Sequence, residues 1–547
     1  MIVAVLLVNH KNGKLALKCE YTQKGKAKAV PGNKWNQSVK AWEYPMERTI
    51  VDQLLEEFGT NLRVSKEVKG YVTRAEQRKV KRVELKNMED TELSVPFADK
   101  LRNYQRVGAN FLHKTKRAIL ADDMGTGKTL QAITACEETG SDRILVVCPA
   151  SLKWNWFDEI AKWTDSNATL VAGTKAKRVK TIEEFTGKYL IINYEALRLH
   201  PELADMKWGA IVFDEAHKLK NRKAKQTKAA KKLKSDYMFL LTGTPMLNRA
   251  DELWSLLNSL YPKEYSSYWR FVDRYCQVYH NGFGKEVVSG TKKQQELLRQ
   301  EIAPLMIRRT KKDVLAELPD KVQVRHVVEL SGEQKKIYKQ MEKDAFVKLS
   351  ESDVVAAPVV IAQLTRLRQI AVSPELLSHD ITQSAKFDEL MDIIQENKGE
   401  HKIAVFSQFR QGIELFGKRL DEAGINWVSV TGTVSEEDRR ENTRKFQEDP
   451  NTRIMLATIE AAGLGLTWTS ADIAVFLDKH WTPAINQQAE DRLHRMGQKN
   501  AVTIINLVAK DTVEERIENM LAKKSRDFDS IINNQLTPED IREIFKG

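Results

Sequence analysis

Cysteine is scarce in this chain. The 547 residues hold four, Cys19, Cys136, Cys148 and Cys276, far apart and never as C-x-x-C. That spacing argues against a zinc ribbon or a disulfide framework and fits reduced thiols in a cytosolic compartment. Long hydrophobic runs are missing too. None approaches the roughly 20 residues a membrane span needs. The opening Ile2–Val8 has no basic residue before it and no small-residue cleavage site after it, so it reads as a strand rather than a signal segment. The histidines show no metal-ligand spacing. There is no low-complexity segment and no short repeat. A cytoplasmic protein of a bacterium, or of a virus in its host, is expected, with no membrane partner.

What is present is a large globular chain. It is 42% hydrophobic and 30% charged, long enough for about three or four domains. Its 87 Lys and Arg against 75 Asp and Glu leave +12, which points to a polyanionic partner, nucleic acid before membrane. Residues 1–95 carry 18 basic and 12 acidic side chains, half of that excess. There, Ile2–Val8 and Lys14–Cys19 flank Asn12-Gly13, a hairpin signal. Met46–Phe58 reads as an amphipathic helix stopped at Gly59.

From about residue 97, short apolar runs alternate with helical stretches. Ala118–Ala121, Ile144–Pro149, Tyr189–Asn193, Ala210–Phe213 and Met238–Leu241 form one set. Ile403–Phe406, Trp427–Val430, Ile454–Ala457, Ala474–Leu477 and Thr503–Val508 form another. Strands of a parallel sheet covered on both faces look like this, so two α/β domains are expected. Between them, about 246–400, the chain reads as charged and helical.

The sharpest motif is Asp122-Asp123-Met124-Gly125-Thr126-Gly127-Lys128-Thr129, between a predicted strand and a predicted helix. Gly125 and Gly127 let backbone N–H groups approach phosphate, Lys128 would reach the β and γ phosphates, and the Thr129 hydroxyl would ligate Mg²⁺. Asp122 stands where the general pattern has its first glycine. Downstream, Asp214 and Glu215 follow the apolar Ile211-Val212-Phe213. Asp214 would hold Mg²⁺ through water and Glu215 would orient and deprotonate the attacking water. Arg492 and Arg495, three apart, would share a helix face and could stabilise charge on a transferring phosphoryl group. Taken alone, a solvated strand end or an ordinary salt-bridged helix would explain either of these last two motifs.

Together these residues resemble the Swi/Snf family of superfamily-two, helicase-like DNA translocases. Further motifs in the family's order carry the likeness across about 100–520: Leu101 to Gln105, Cys148 to Leu152, Leu241 to Pro245, Arg308 to Leu315, Phe406 to Phe409, Ala461 to Thr467, Asp478 to Pro483 and Gln488 to Gln498. The resemblance implies an α/β fold of two RecA-like parallel-sheet lobes with helical protrusions, preceded by a small α+β domain. The expected divisions are 1–95, a basic N-terminal domain; 96–325, lobe one with a protrusion; 326–400, protrusion and linker; and 401–547, lobe two with C-terminal helices. It implies ATP and Mg²⁺ as cofactors. Lys128, Glu215, Arg492 and Arg495 would be catalytic. Gln105, Gly125, Thr126, Gly127, Lys128, Thr129, Asp214 and Gly465 would hold the nucleotide, with Gln105 contacting adenine and Thr129 and Asp214 holding the metal. Lys153, Ser407, Gln408 and Trp481 would meet DNA, and His217, Thr242, Thr244 and Gln488 would couple the two.

Three positions depart from the family's pattern: Thr482, Asn486 and Glu460. The forms around Asp122 and Ala461, with Pro31, Trp35, Lys40, Trp42 and Tyr44-Pro45, look more like the annealing-helicase (HARP-type) branch than the chromatin remodellers. Trp35 and Trp42 among lysines could stack an unpaired base, or could be core of a small domain, or one of each. The lysine-rich 218–234 reads first as a solvated face and second as a phosphate path. The expectation is a monomeric DNA-dependent ATPase moving on duplex or forked DNA, remodelling forks, annealing strands or displacing bound proteins, with single-strand-binding or replication proteins among its partners. The alternatives are a remodeller of a protein–nucleic acid complex such as stalled RNA polymerase, or an ATP-gated DNA clamp with little turnover.

Overall fold

The computed structural model describes residues 4–243, 250–280, 285–315, 317–330, 332–350, 357–377, 381–397, 399, 401–462 and 466–526. The chain divides into two compact units. One is Met1–Asp122 with Lys128–Arg309, the other Asp123–Gly127 with Thr310–Gly547.

The first unit opens with a five-stranded sheet in the order Lys34–Asn36, Ala41–Tyr44, Lys14–Lys18, Ala4–Asn9, Leu62–Val64. Ala4–Asn9 and Lys14–Lys18 are the expected hairpin, with Gly13 at φ +68° in its turn. Helix Arg48–Phe58 buries Ile50, Val51, Leu54 and Phe58 on one face and stops at Gly59, φ +54°. A 21-residue helix, Lys66–Lys86, follows, capped by the Ser65 hydroxyl. Its charged sequence buries only Val68, so no apolar stripe announces it. This module is packed onto the rest of the unit: Glu47 pairs with Arg270 at 2.8 Å, and Arg82 donates to the Tyr261 hydroxyl at 2.7 Å.

The second sheet of this unit has seven strands in the order Met306–Ile307, Arg117–Leu120, Ser235–Leu241, Trp208–Phe213, Ile144–Cys148, Tyr189–Asn193, Ala168–Leu170. Every pairing is parallel. Successive residues of one strand feed opposite cores. Ile211 and Phe213 join one cluster, Ala210 and Val212 the other. That is why the strands are apolar without alternation.

The second unit repeats the plan with six parallel strands: Lys321–Val328, Val502–Ala509, Ile473–Phe476, Ile403–Ser407, Ile454–Thr458, Trp427–Val430. Ile403 and Val405 face one core, Ala404 and Phe406 the other. A helical layer adds Tyr338, Leu364 and Leu367 in a separate cluster. All ten runs read as strands are strands, and the α/β class with two parallel-sheet lobes holds.

One expectation is corrected. The region 246–400 also contains a hairpin, Cys276–His280 with Lys285–Ser289, and the strand Lys321–Val328. That strand pairs along its whole length with Val502–Ala509 and is part of the second unit's sheet. It lies at the sheet edge with Val322 48% and Val324 36% exposed. Most of its residues are exposed, apolar and charged alike, so its sequence shows no buried face and reads like a solvated helix. Among the described residues no helix is long and apolar enough to cross a membrane.

Trp42 is buried in the module's core while Trp35 is 48% exposed, their rings edge to face at 5.3 Å. Trp42→Ala is therefore expected to destabilise the module by about 3–5 kcal/mol and Trp35→Ala by less, about 1–2 kcal/mol, for its ring contact and half-buried area. Amide hydrogen exchange over residues 14–44 in the full chain checks the difference.

Candidate active site

Asp214 and Glu215 follow strand Trp208–Phe213 at the carboxyl end of the sheet, where open α/β folds place their ligands. The Asp214 N–H still donates to Val147 O at 2.8 Å, continuing the ladder one residue past the strand. Its side chain is buried. Oδ2 accepts the Trp156 indole N–H at 2.8 Å, and Oδ1 accepts the Glu215 N–H at 2.9 Å. Trp156 and Ile160 line the buried face of helix Lys153–Trp163, which fixes the indole beneath the carboxylate. Tyr194 donates to the Asp214 carbonyl at 2.7 Å. Burial pushes the Asp214 carboxyl up, and Glu215 beside it adds to the rise. The Trp156 hydrogen bond and the Lys128 charge oppose it.

Glu215 sits at φ 48°, ψ 50°, the left-handed region, which costs an L-residue about 1–2 kcal/mol. Strain of this kind persists where surrounding structure over-determines it, and it clusters at functional sites. The kink ends the strand and starts the short turn Ala216–Leu219, which brings His217 Nδ1 to 3.2 Å from the Glu215 carboxylate.

The glycine-rich loop joins strand Arg117–Leu120 to helix Lys128–Glu138. Gly125 and Gly127 stand at φ +77° and +76°, a conformation glycine adopts without a Cβ penalty. Thr126 is fully buried and donates to the Asp123 carbonyl at 2.8 Å, bracing the loop. Lys128 Nζ donates to the Asp122 carbonyl at 2.8 Å. Thr129 follows in the first turn of the helix.

Asp122, the position where a glycine was expected, is fully buried. Arg309 Nη2 meets its Oδ2 at 2.6 Å, while Arg309 N–H and Nε donate to Oδ1 at 3.0 and 3.1 Å. A buried carboxylate needs such a partner. Sequence reasoning quoted Arg309 within a family stretch and gave it no role. The sheet register would have found it: Ile307 pairs with Leu120, so Asp122 and Arg309 each follow two residues later. Gln105, expected at adenine, is 2% exposed, and its Oε1 accepts the Arg102 N–H at 3.0 Å, closing the capping box of helix Asn103–Thr115.

In the second unit, Arg492 and Arg495 are not on a helix. Helix Pro483–Glu490 ends before them, and they occupy the turn that follows. They share a partner instead of a helix face: Nη1 of each donates to Leu466 O, at 3.3 and 3.4 Å, and Arg492 Nε donates to Gln488 O at 3.1 Å. Lys311 pins this turn through Asp491 at 2.6 Å and the His494 carbonyl. It is a second residue that the sequence reading left without a role. Asn486, a departure from the family pattern, bridges the His480 N–H and carbonyl, both at 2.8 Å.

The residues expected at DNA differ in exposure. Lys153 is 8% exposed, and Ser407 is fully buried, its hydroxyl donating to Asp478. Both are interior side chains. Gln408 donates its N–H to Asp478 at 3.2 Å. Trp481 lies under the Arg368 guanidinium at 4.5 Å, beside a cavity of about 430 Å³. Thr242 is buried, its N–H on Leu120 O. Thr244 and Gly465 lie outside the described residues. In the lysine-rich segment, Arg222 stacks on Tyr268 at 3.9 Å and Lys231 on Trp254 at 4.4 Å, while Lys223, Lys225, Lys228, Lys232 and Lys234 are exposed.

The donor set fits a nucleoside triphosphate with a divalent cation. Two positive-φ glycines open the loop backbone, a lysine and a hydroxyl begin the helix, and a desolvated carboxylate close enough to feel the lysine charge completes the set.

The SNF2-related domain family matches residues 104–376, and the helicase conserved C-terminal domain family matches 385–497. A Mycoplasma pneumoniae protein named "Uncharacterized ATP-dependent helicase" is 31% identical over 487 residues, 85% of this chain and 46% of the relative. The Arabidopsis thaliana "TATA-binding protein-associated factor BTAF1" is 30% identical, over 82% of this chain and 26% of that protein. The chain thus spans under half the length of these curated relatives. A solved structure described as "Sulfolobus solfataricus SWI2/SNF2 ATPase core domain" is 30% identical, covering 84% of this chain and 96% of that one, with a TM-score of 0.38.

Trp156→Phe would remove one donor from a buried carboxylate, a loss of about 1.5–3 kcal/mol. The Asp214 carboxyl would rise further, by about one unit or more, so the charged form would appear only at higher pH. The midpoint of Mg²⁺-dependent binding of a fluorescent ATP analogue, titrated against pH, is expected to move up by that amount.

Proposed function

The chain belongs to the SNF2 family, and we propose that it hydrolyses ATP to translocate on double-stranded DNA. The observation that carries this is the buried Asp214, held by the Trp156 indole, beside the half-buried Glu215 at the strand end, with the Lys128 charge acting on it. Backbone N–H groups of the glycine loop and the Lys128 ammonium bind the phosphates. Thr129 and Asp214 would hold Mg²⁺, which would supply positive charge against the phosphates. Glu215, fixed by its left-handed backbone, orients the attacking water and accepts its proton. Its contact with His217 links that carboxylate to the segment that continues into the lysine-rich face. Arg492 and Arg495 stabilise charge on the transferring γ-phosphoryl group. The exposed lysines between 223 and 234 and the +12 net charge support a phosphate backbone as the track.

Within that reading we favour fork remodelling or strand annealing, with the exposed Trp35 on a basic module as the feature that reads unpaired bases. The likeness to a TATA-binding-protein-associated factor supports a second reading, in which translocation strips a protein from DNA. A cytoplasmic monomer, with single-strand-binding or replication proteins as partners, completes the proposal.

Steady-state hydrolysis with no DNA, single strand, blunt duplex and a synthetic fork, at one salt concentration, tests it. Duplex or fork is expected to stimulate turnover. Indifference to every DNA would sink the translocase reading. Glu215→Gln is expected to lower kcat about 10²–10⁴-fold, and Arg495→Ala about 10³-fold. Because the N-terminal module is packed against the unit through Glu47 and Arg82, the point variant Trp35→Ala rather than a deletion probes fork preference. An unchanged fork-to-duplex ratio would remove Trp35 from recognition.

A further inference from the structure

Arg309 does more than neutralise Asp122. Its Nη2 also donates to Gln131 Oε1 at 2.9 Å, and its Nη1 donates to the Tyr104 carbonyl. Its guanidinium lies 5.2 Å from the Tyr104 ring. Gln131 Nε2 closes the ring of contacts on Asp122 Oδ2 at 3.2 Å. One side chain therefore ties three pieces of backbone: the start of the glycine loop, the helix that follows it, and the residue before Gln105. The packing leaves no slack. A Cβ placed on Gly108, one helical turn after Tyr104, would lie 1.9 Å from Gln131 Oε1 and 2.7 Å from Arg309 Nη2, so any larger residue there would displace these two side-chain ends.

The tie bears on two parts of a nucleotide at once. The Asp122 carbonyl receives Lys128 Nζ, so holding Asp122 sets where the phosphate-binding lysine begins. The Tyr104 carbonyl belongs to the segment that carries Gln105. We propose that Arg309 is a positioning residue for base selection: it fixes the Tyr104–Gln105 segment at a set distance from the phosphate loop, so that a nucleotide held by its phosphates presents its base to that segment. This rests on the reading of the chain as an ATPase with Gln105 at the base. Arg309 touches neither phosphate nor base in this scheme. It acts through Asp122, Gln131 and Tyr104. Lysine cannot replace it, because a single ammonium cannot span a carboxylate, an amide oxygen and a carbonyl as a planar fork does.

The test is equilibrium titration of the full chain with fluorescently labelled ATP and GTP, with KM and kcat for both nucleotides measured in parallel. Wild type is expected to prefer ATP. Arg309→Lys is expected to weaken ATP binding and raise its KM roughly tenfold, with the ATP-over-GTP preference falling by a similar factor and kcat changing less. Gln131→Met, which removes one arm of the network and keeps its volume, should move the preference in the same direction. Thermal melts of each variant monitor folding. Should Arg309→Lys fail to fold, Gln131→Met carries the test alone. An unchanged ATP-to-GTP ratio in a folded variant would overturn the proposal. So would a fall in affinity equal for both nucleotides, since that reports phosphate binding only, or a wild type with no preference. A wild type that binds labelled ATP selectively without turning it over would sink the ATPase reading and leave the Arg309 test standing on binding.

Discussion

A carboxylate removed from water must be met by a cation or by several donors, and that requirement organises the functional part of this protein. Asp122 is met by Arg309, Asp214 by the Trp156 indole and a backbone N–H, Asp478 by Ser407 and Arg368, and Asp491 by Lys311. Breaking a buried pair by removing one partner typically costs about 3–5 kcal/mol. The partners therefore fix backbone positions, and the glycine loop, the acidic strand end and the arginine turn are held by them.

Asp214 is the exception that makes chemistry available. Its two hydrogen bonds do not fully compensate its burial, and its carboxyl is pushed up with Glu215 adjacent. A divalent cation would supply the missing charge. Asp122, also buried, has a full guanidinium fork and two further donors, the Arg309 N–H and Gln131 Nε2. Two buried aspartates thus serve different ends: one is a strut, and the other is poised to bind. The strained backbone of Glu215 belongs with the second, as its left-handed turn is what separates its carboxylate from the strand it follows.

The N-terminal module adds a basic surface without being an appendage. Its buried Glu47 pairs with Arg270, and its long helix reaches Tyr261 and Ala303, so it belongs to the first unit. Trp42 went to its core and Trp35 to its surface because, of the two paired strands, Lys34–Asn36 is the sheet edge and Ala41–Tyr44 lies one strand further in. Composition could not have separated them.

The sequence by itself determined the two parallel sheets, since strands covered on both faces must be apolar throughout, as Val146 and Ile211 are. It also determined the glycine loop and the acidic pair, whose chemistry depends on local spacing. Only the tertiary structure decided which charges meet. Arg309 reaches Asp122 across 187 residues because two short strands pair in parallel. Arg492 and Arg495 converge on Leu466 from a turn, where a spacing of three had suggested a helix. The edge strand Lys321–Val328 hid among charged residues for the same reason: its partner, Val502–Ala509, lies far along the chain, and most of its side chains face water. Local pattern records which faces are buried. Which distant residue shares that burial is set by sheet register, and the fold must be complete before it can be seen.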